Sequence, residues 1–145
     1  MRVESDVTVA KLPEEVFDYL AQAERLPEYV DEFAHVEQES PEAPARGTRY
    51  RYEMKRGGVK GTFDWTEFDR PSRLAWAGPP VKQGPGSMET SGVWELSPEG
   101  AGTHVKLVMT PMPGGLFKLM APLMQIGMRK GNRRAMDRLK QRLEG

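Results

Sequence analysis

Near its start the chain alternates Val3, Ser5, Val7 and Val9 with Arg2, Glu4, Asp6 and Thr8. A period of two puts one set on each face of a strand, so this segment predicts a half-buried β-strand. Leu12-Pro13-Glu14-Glu15 then opens a helix. Proline suits the first helical position, and the two acids lie at the positive end of the helix dipole. Val16, Phe17 and Leu20 form the apolar stripe of that helix. A second short helix is predicted over about Arg25 to Asp31, with Leu26, Tyr29, Val30 and Phe33 turned inward. A short strand from His35 to Glu39 leads into the Pro- and Ala-rich loop Ser40 to Arg46.

From Thr48 the pattern becomes an antiparallel meander. Tyr50, Tyr52 and Met54 alternate with Arg49, Arg51, Glu53 and Lys55, the cleanest alternation in the chain. Gly57-Gly58 makes a turn, and Val59 to Asp69 returns with Phe63 and Trp65 on one face. After Pro71-Ser72, the segment Arg73 to Ala77 carries Leu74 and Trp76. Gly78 to Gly86 is dense in Pro and Gly and reads as an irregular loop. Met88 to Leu96 and Thr103 to Met109 pair across Ser97 to Gly102, and Pro111 with Pro113-Gly114-Gly115 ends the sheet. A helix is predicted from about Leu116 to Leu143, roughly 42 Å long at the usual rise. Met124, Met128, Ala135, Leu139 and Leu143 share its broad face, and Pro122 is expected to kink it.

The length of 145 residues suits one domain over 1–145, with a core large enough to stabilise itself. No Cys is present, which excludes disulfides, thiolate metal sites and Cys nucleophiles. His35 and His104 are far apart and fit no metal-ligand spacing, so neither metal nor organic cofactor is expected. The opening has charges from its second residue and no apolar leader. The most apolar stretch, Met112 to Met128, is interrupted by Lys118, Pro122 and Gln125 and is shorter than a membrane span. A cytoplasmic protein is the expectation.

The element order is strand, two short helices, a meander of strands and one long helix. An antiparallel sheet needs a cover on its apolar face, and the terminal helix is the one element long enough. Ala10 to Leu20 resembles the opening pattern of the START/polyketide-cyclase-like superfamily, and Leu26-Pro27-Glu28-Tyr29 its second short helix. Gly47-Thr48-Arg49-Tyr50, Glu67 to Trp76, and Gly102-Thr103-His104-Val105 are similar to three of its strand motifs. The resemblance, which runs in order over nearly the whole chain, implies an α+β helix-grip fold. Such a fold has a curved antiparallel sheet of about six to seven strands, two short helices and a long C-terminal helix.

The resemblance also implies a small hydrophobic partner, a lipid, polyketide or similar molecule, held between sheet and helix. Six of the nine Met fall between Met109 and Met136, and Met adapts to guests of imperfect shape. The expected lining is Tyr50, Tyr52, Met54, Phe63, Trp65, Trp76, Trp94, Met109, Leu116, Met120, Met124 and Met128. The competing account is a solid core with the same residues interlocked. For chemistry, the chain has neither a G-x-S-x-G elbow nor a phosphate loop. Asp64, Glu67, Glu89, Glu95 and His104 alternate against apolar neighbours and are expected to face outward, so no catalytic residue is assigned. Cyclases of the superfamily use an inward polar residue, often Arg with Tyr or Thr. Tyr50 and Tyr52 suit that role, whereas Arg49 and Arg51 face the other way.

Charge changes the picture once. Residues 1–45 hold twelve acids and three bases, whereas residues 46–145 hold nine and eighteen. The terminal helix carries Arg129, Lys130, Arg133, Arg134, Arg138, Lys140 and Arg142. A solvated amphipathic back is the simpler reading, and the rival is an anionic partner such as RNA, the ribosome or a membrane. A monomer or weak homodimer is expected.

Overall fold

A computed structural model describes Met1–Gly145. Strand β1 (Val3–Val9) is followed by α1 (Pro13–Ala21), a tight 3₁₀ turn (Ala23–Arg25) and the short α2 (Leu26–Tyr29). In α1, Pro13 starts the first turn, and the Glu15 carboxylate accepts from the Leu12 N–H at 3.1 Å. That bond satisfies one of the donors a helix start leaves free. Val16, Phe17, Leu20 and Ala21 make the buried face.

Strands β2 (Phe33–Gln38), β3 (Arg49–Met54), β4 (Lys60–Asp69), β5 (Arg73–Ala77), β8 (Ser91–Glu99) and β9 (Gly102–Met109) complete the main sheet. Its order is β1-β9-β8-β5-β4-β3-β2, antiparallel throughout, so β1 and β2 are its edges. Bulges between Phe33 and His35 and between Trp65 and Glu67 add local twist and curl the sheet. The helix-grip α+β architecture is therefore present, with seven main strands.

Three short strands form a second sheet. The segment expected to be an irregular loop is instead a hairpin, β6 (Val81–Gln83) and β7 (Gly86–Glu89), and β10 (Met112–Gly115) pairs with β7 on its other side. Proline is tolerated on an edge strand, where one side of the backbone needs no partner, and Pro113 lies on such an edge. Gly84, with φ of +60°, supplies the turn conformation that other residues resist. Turn-rich composition therefore hid a hairpin. Met88 belongs to β7 rather than to the longer strand that follows.

Helix α3 spans Ala121–Glu144, preceded by a 3₁₀ turn at Leu116–Lys118. The helix is thus ~36 Å long rather than ~42 Å. Pro122 lies in its first turn, where the missing N–H has no intrahelical acceptor in any case, so the expected kink becomes a start signal. Ala135, Met136 and Leu139 are its buried residues. The C-terminal half is tied down by polar contacts: Lys140 Nζ donates to the Thr8 carbonyl at 2.7 Å, and the Glu144 carboxylate accepts from the Ala10 N–H at 2.8 Å. Arg138 pairs with Asp31. No helix is long and apolar enough to cross a membrane.

Candidate ligand site between sheet and terminal helix

The inward face of the main sheet is set by cross-strand register. Tyr50 stands opposite Phe63, Tyr52 opposite Gly61, and Trp65 opposite Trp76. Trp76 stands opposite Gly92, Gly92 opposite Met109, and Met109 opposite Val3. Residues opposite one another in a sheet share a face, so these side chains form one aromatic and thioether surface.

Part of this surface is fixed core. Tyr50 and Phe63 are buried and stacked, with centroids 5.3 Å apart. The Tyr50 hydroxyl donates to the Ala21 carbonyl at 3.1 Å and accepts from the Trp65 indole N–H at 3.3 Å. Both hydroxyl functions are thus used internally. Trp94 is buried between Leu74 and Leu107.

Other residues are less committed. The Tyr52 ring lies over Gly61, where an added Cβ would stand 2.4 Å from the Tyr52 oxygen. Its ring meets Phe33 edge-on at 5.5 Å, and its hydroxyl makes no hydrogen bond within the protein. Burial pushes the Tyr52 hydroxyl pKa up, which keeps it a neutral donor at ordinary pH. Trp76 lies over Gly92 in the same way, with an added Cβ 2.2 Å from its ring. Two glycines thus let two aromatic rings lie down on the sheet. Met54, Trp76, Met109, Met124 and Met128 are half-buried.

The helix makes its closest backbone approaches at the borders of this surface. It packs along β1, one edge of the sheet, and along α2, which itself packs on β2 at the other edge. No residue from Ala121 to Asn132 is fully buried, whereas Ala135, Met136 and Leu139 are, so the N-terminal half of α3 is the less closely packed half; Gln125 Nε2 ties it to the Arg2 carbonyl at 3.2 Å. Polar groups occur under that half. Asn132 Nδ2 donates to the Met109 sulfur at 3.2 Å, and the buried Ser5 Oγ has no hydrogen-bond partner within the protein. A buried hydroxyl without a partner costs free energy unless water or a guest supplies one.

Sequence reasoning placed Leu116 and Met120 in the lining, and the structure places both elsewhere. They are exposed, because α3 begins only at Ala121 and neither residue belongs to its stripe. It missed Gly61 and Gly92, whose signal was a glycine at an inward strand position, and Asn132 on the helix.

The outer face of the sheet is polar. Asp64 accepts two bonds from Arg49 at 2.8 and 3.1 Å, Glu67 accepts from Arg73 at 2.6 Å, and the His104 ring lies 2.8 Å from Asp6. Two shallow depressions lie there, around Arg73, Glu95 and His104 and around Glu37, Arg51 and Lys60. Their charges largely pair with one another, which leaves little to recognise a ligand. No three His, Asp or Glu side chains converge to hold a metal ion.

Comparison with solved structures agrees with this architecture. A protein of Thermus thermophilus, TTHA0849, is 23% identical over 99% of this chain and 97% of its own, with a TM-score of 0.76. MLL2253 of Mesorhizobium loti is 17% identical over 99% and 97%, with a TM-score of 0.77. The di-domain ARO/CYC BexL from the BE-7585A biosynthetic pathway is 21% identical with a TM-score of 0.73. The match covers 99% of this chain but 46% of BexL. At these identities the likeness shows the fold. No curated protein matches the sequence. The family described as polyketide cyclase / dehydrase and lipid transport matches residues 1–144. A match over that span, on a helix-grip structure with an aromatic inner face, makes this chain a member of the polyketide cyclase/dehydrase and lipid transport family.

Proposed function

We propose that the protein binds a small hydrophobic molecule between the inner face of its sheet and the N-terminal half of α3. The lining is Tyr52, Trp65, Trp76, Met109, Met124 and Met128, with Tyr50, Phe63 and Trp94 as the rigid floor. The observation that carries this reading is where the helix touches. Its backbone rests along β1 and α2, and the half-buried Met124 and Met128 share the α3 face of the buried Ala135 and Leu139, so this reading assigns flexible thioethers rather than close-packed backbone as the cover of the aromatic centre. Apolar walls with a few placed polar groups are the usual anatomy of a small-molecule site. Here the polar groups are the Tyr52 hydroxyl, Ser5 and Asn132. Native mass spectrometry of the purified protein is expected to show a co-purifying small molecule or uptake of an added apolar one. A bare chain mass that no apolar compound changes would contradict the proposal.

A cyclase reading has one observation in its favour. The Tyr52 hydroxyl is protonated, half-buried and unpartnered, and so can donate to a guest carbonyl. Tyr50 is the weaker candidate, since its hydroxyl already serves Ala21 and Trp65. Under this reading Tyr52→Phe abolishes turnover of a poly-β-ketone while Tyr50→Phe leaves part of it. Equal turnover by Tyr52→Phe and the unaltered protein would remove the reading.

A further inference from the structure

The outward side of α3 and its lead-in turn changes character along its length. Leu119, Leu123 and Ile126 are spaced by four and three residues, and so share one face. They are 80%, 72% and 52% exposed. Met112, Leu116 and Met120 extend the exposed apolar patch over the turn and onto β10. Isolated exposed leucines are ordinary, but a continuous apolar end on a polar molecule is not. The end is also held firmly: the Phe117 ring packs on Gly86 of β7, where any Cβ would stand 2.4 Å from the ring.

Further along the helix the exposed side becomes cationic. Arg129, Lys130, Arg133 and Arg134 are all exposed, and none lies within ion-pair distance of a carboxylate. Glu32, whose carboxylate lies beside Gly131, pairs with none of them. No Asp or Glu occurs between Glu99 and Asp137. One turn later Arg138 and Lys140 are held by Asp31 and Glu144. The free cations thus form a collar behind the apolar end.

We propose that this end of the molecule docks on an anionic lipid bilayer. The apolar end enters the boundary between headgroups and acyl chains, and the collar sits at phosphate level. From Leu123 to Arg129 and Arg133 the helix rises ~9 to ~15 Å. An oblique helix therefore places the collar near the headgroups when its apolar end lies at the ~5–10 Å depth of interfacial helices. Charge selects this occupant over two others. A second copy paired two-fold through the same face would bury the leucines but bring the four cations no carboxylate, since residues 100–136 hold none. A nucleic acid would engage the cations and leave the leucines in water. An anionic surface with an apolar interior satisfies both halves. The inference stands apart from the guest proposed above, since none of its residues faces the sheet.

Co-sedimentation of the full chain with vesicles tests it. The protein is expected to bind phosphatidylglycerol–phosphatidylcholine vesicles, to bind pure phosphatidylcholine more weakly, and to release as salt rises. Two double variants, Leu119→Ser with Leu123→Ser and Arg129→Glu with Arg133→Glu, change exposed side chains only. Each is expected to weaken binding at least tenfold, since one cation near an anionic surface contributes about fivefold. Arg46→Glu, in the loop before β3, is expected to change little. Failure to sediment with anionic vesicles at low salt would overturn the proposal. So would full binding by the leucine variant, which would leave mere charge adsorption. A dimer dissolved by that variant, or RNA retention without vesicle binding, would assign the surface to another partner and overturn it equally.

Discussion

The Trp65 indole N–H donates to the Tyr50 hydroxyl at 3.3 Å, and that hydroxyl donates in turn to the Ala21 carbonyl at 3.1 Å. Strand β4, strand β3 and the end of α1 are thereby joined through one oxygen. Tyr50→Phe removes the oxygen and leaves a buried donor and acceptor without partners. The expected cost is about 1–3 kcal/mol, read as a lower urea midpoint with unchanged slope. Because this hydroxyl faces the helix end rather than the guest, binding of an apolar probe should survive in the folded fraction. Unchanged stability would mean the hydrogen-bond chain is not formed.

Gly61 tests the less committed side of the site. An added Cβ there meets the Tyr52 oxygen at 2.4 Å, and Phe33 and Phe63 flank the ring. Gly61→Ala should lift Tyr52 toward α3, into the space assigned to the guest. A loss of roughly tenfold in apolar-probe affinity, about 1.4 kcal/mol, is expected, with stability lowered by ~1–3 kcal/mol from overpacking. Probe titration beside urea denaturation separates the two effects. Unchanged affinity would place the guest away from Tyr52.

Tyr19 sets the alkaline limit of the fold. Burial first, and its hydrogen bond to Glu28 at 2.9 Å second, push its hydroxyl up to about 12, and burial drives Tyr29 higher still. A pKa raised by folding contributes stability that is complete below the unfolded value near ~10 and lost as pH rises through the folded one. Stability should therefore decline from about pH 10 to about pH 12, with these two phenolates forming only as the chain unfolds. Phenolate absorbance and circular dichroism should change together. All four tyrosines ionising near ~10 in a folded chain would contradict this.

The fold was largely legible because its strands alternate cleanly. Tyr50, Tyr52 and Met54 against Arg49, Arg51 and Glu53 set the inner and outer faces of β3, and the observed register follows that pattern. Pro71, Gly57 and Gly58 marked turns for the same local reason. The second sheet was not legible. Edge strand β10 tolerates Pro and Gly, so the composition that signals a loop also fits it, and β6 is only three residues set between Pro80 and Gly84. Pro122 was misread because a proline in the first turn and one in mid-helix differ only in where the helix starts. Of the site, the aromatic rows followed from alternation. The exposure of Leu116 and Met120 did not, because a helical stripe says which residues share a face but not where the helix begins.

Methyl NMR of the protein labelled at its nine methionines tests the central claim most directly. Met109 stands on the inner sheet face and Met124 and Met128 on the α3 face of the buried Ala135 and Leu139, all three half-buried, whereas Met112 and Met120 lie on the exposed apolar end. Naphthol, an apolar ring with one hydroxyl, should shift the first three and show contacts to their methyls. Shifts confined to Met112 and Met120, or none at all, would contradict a guest held between the layers.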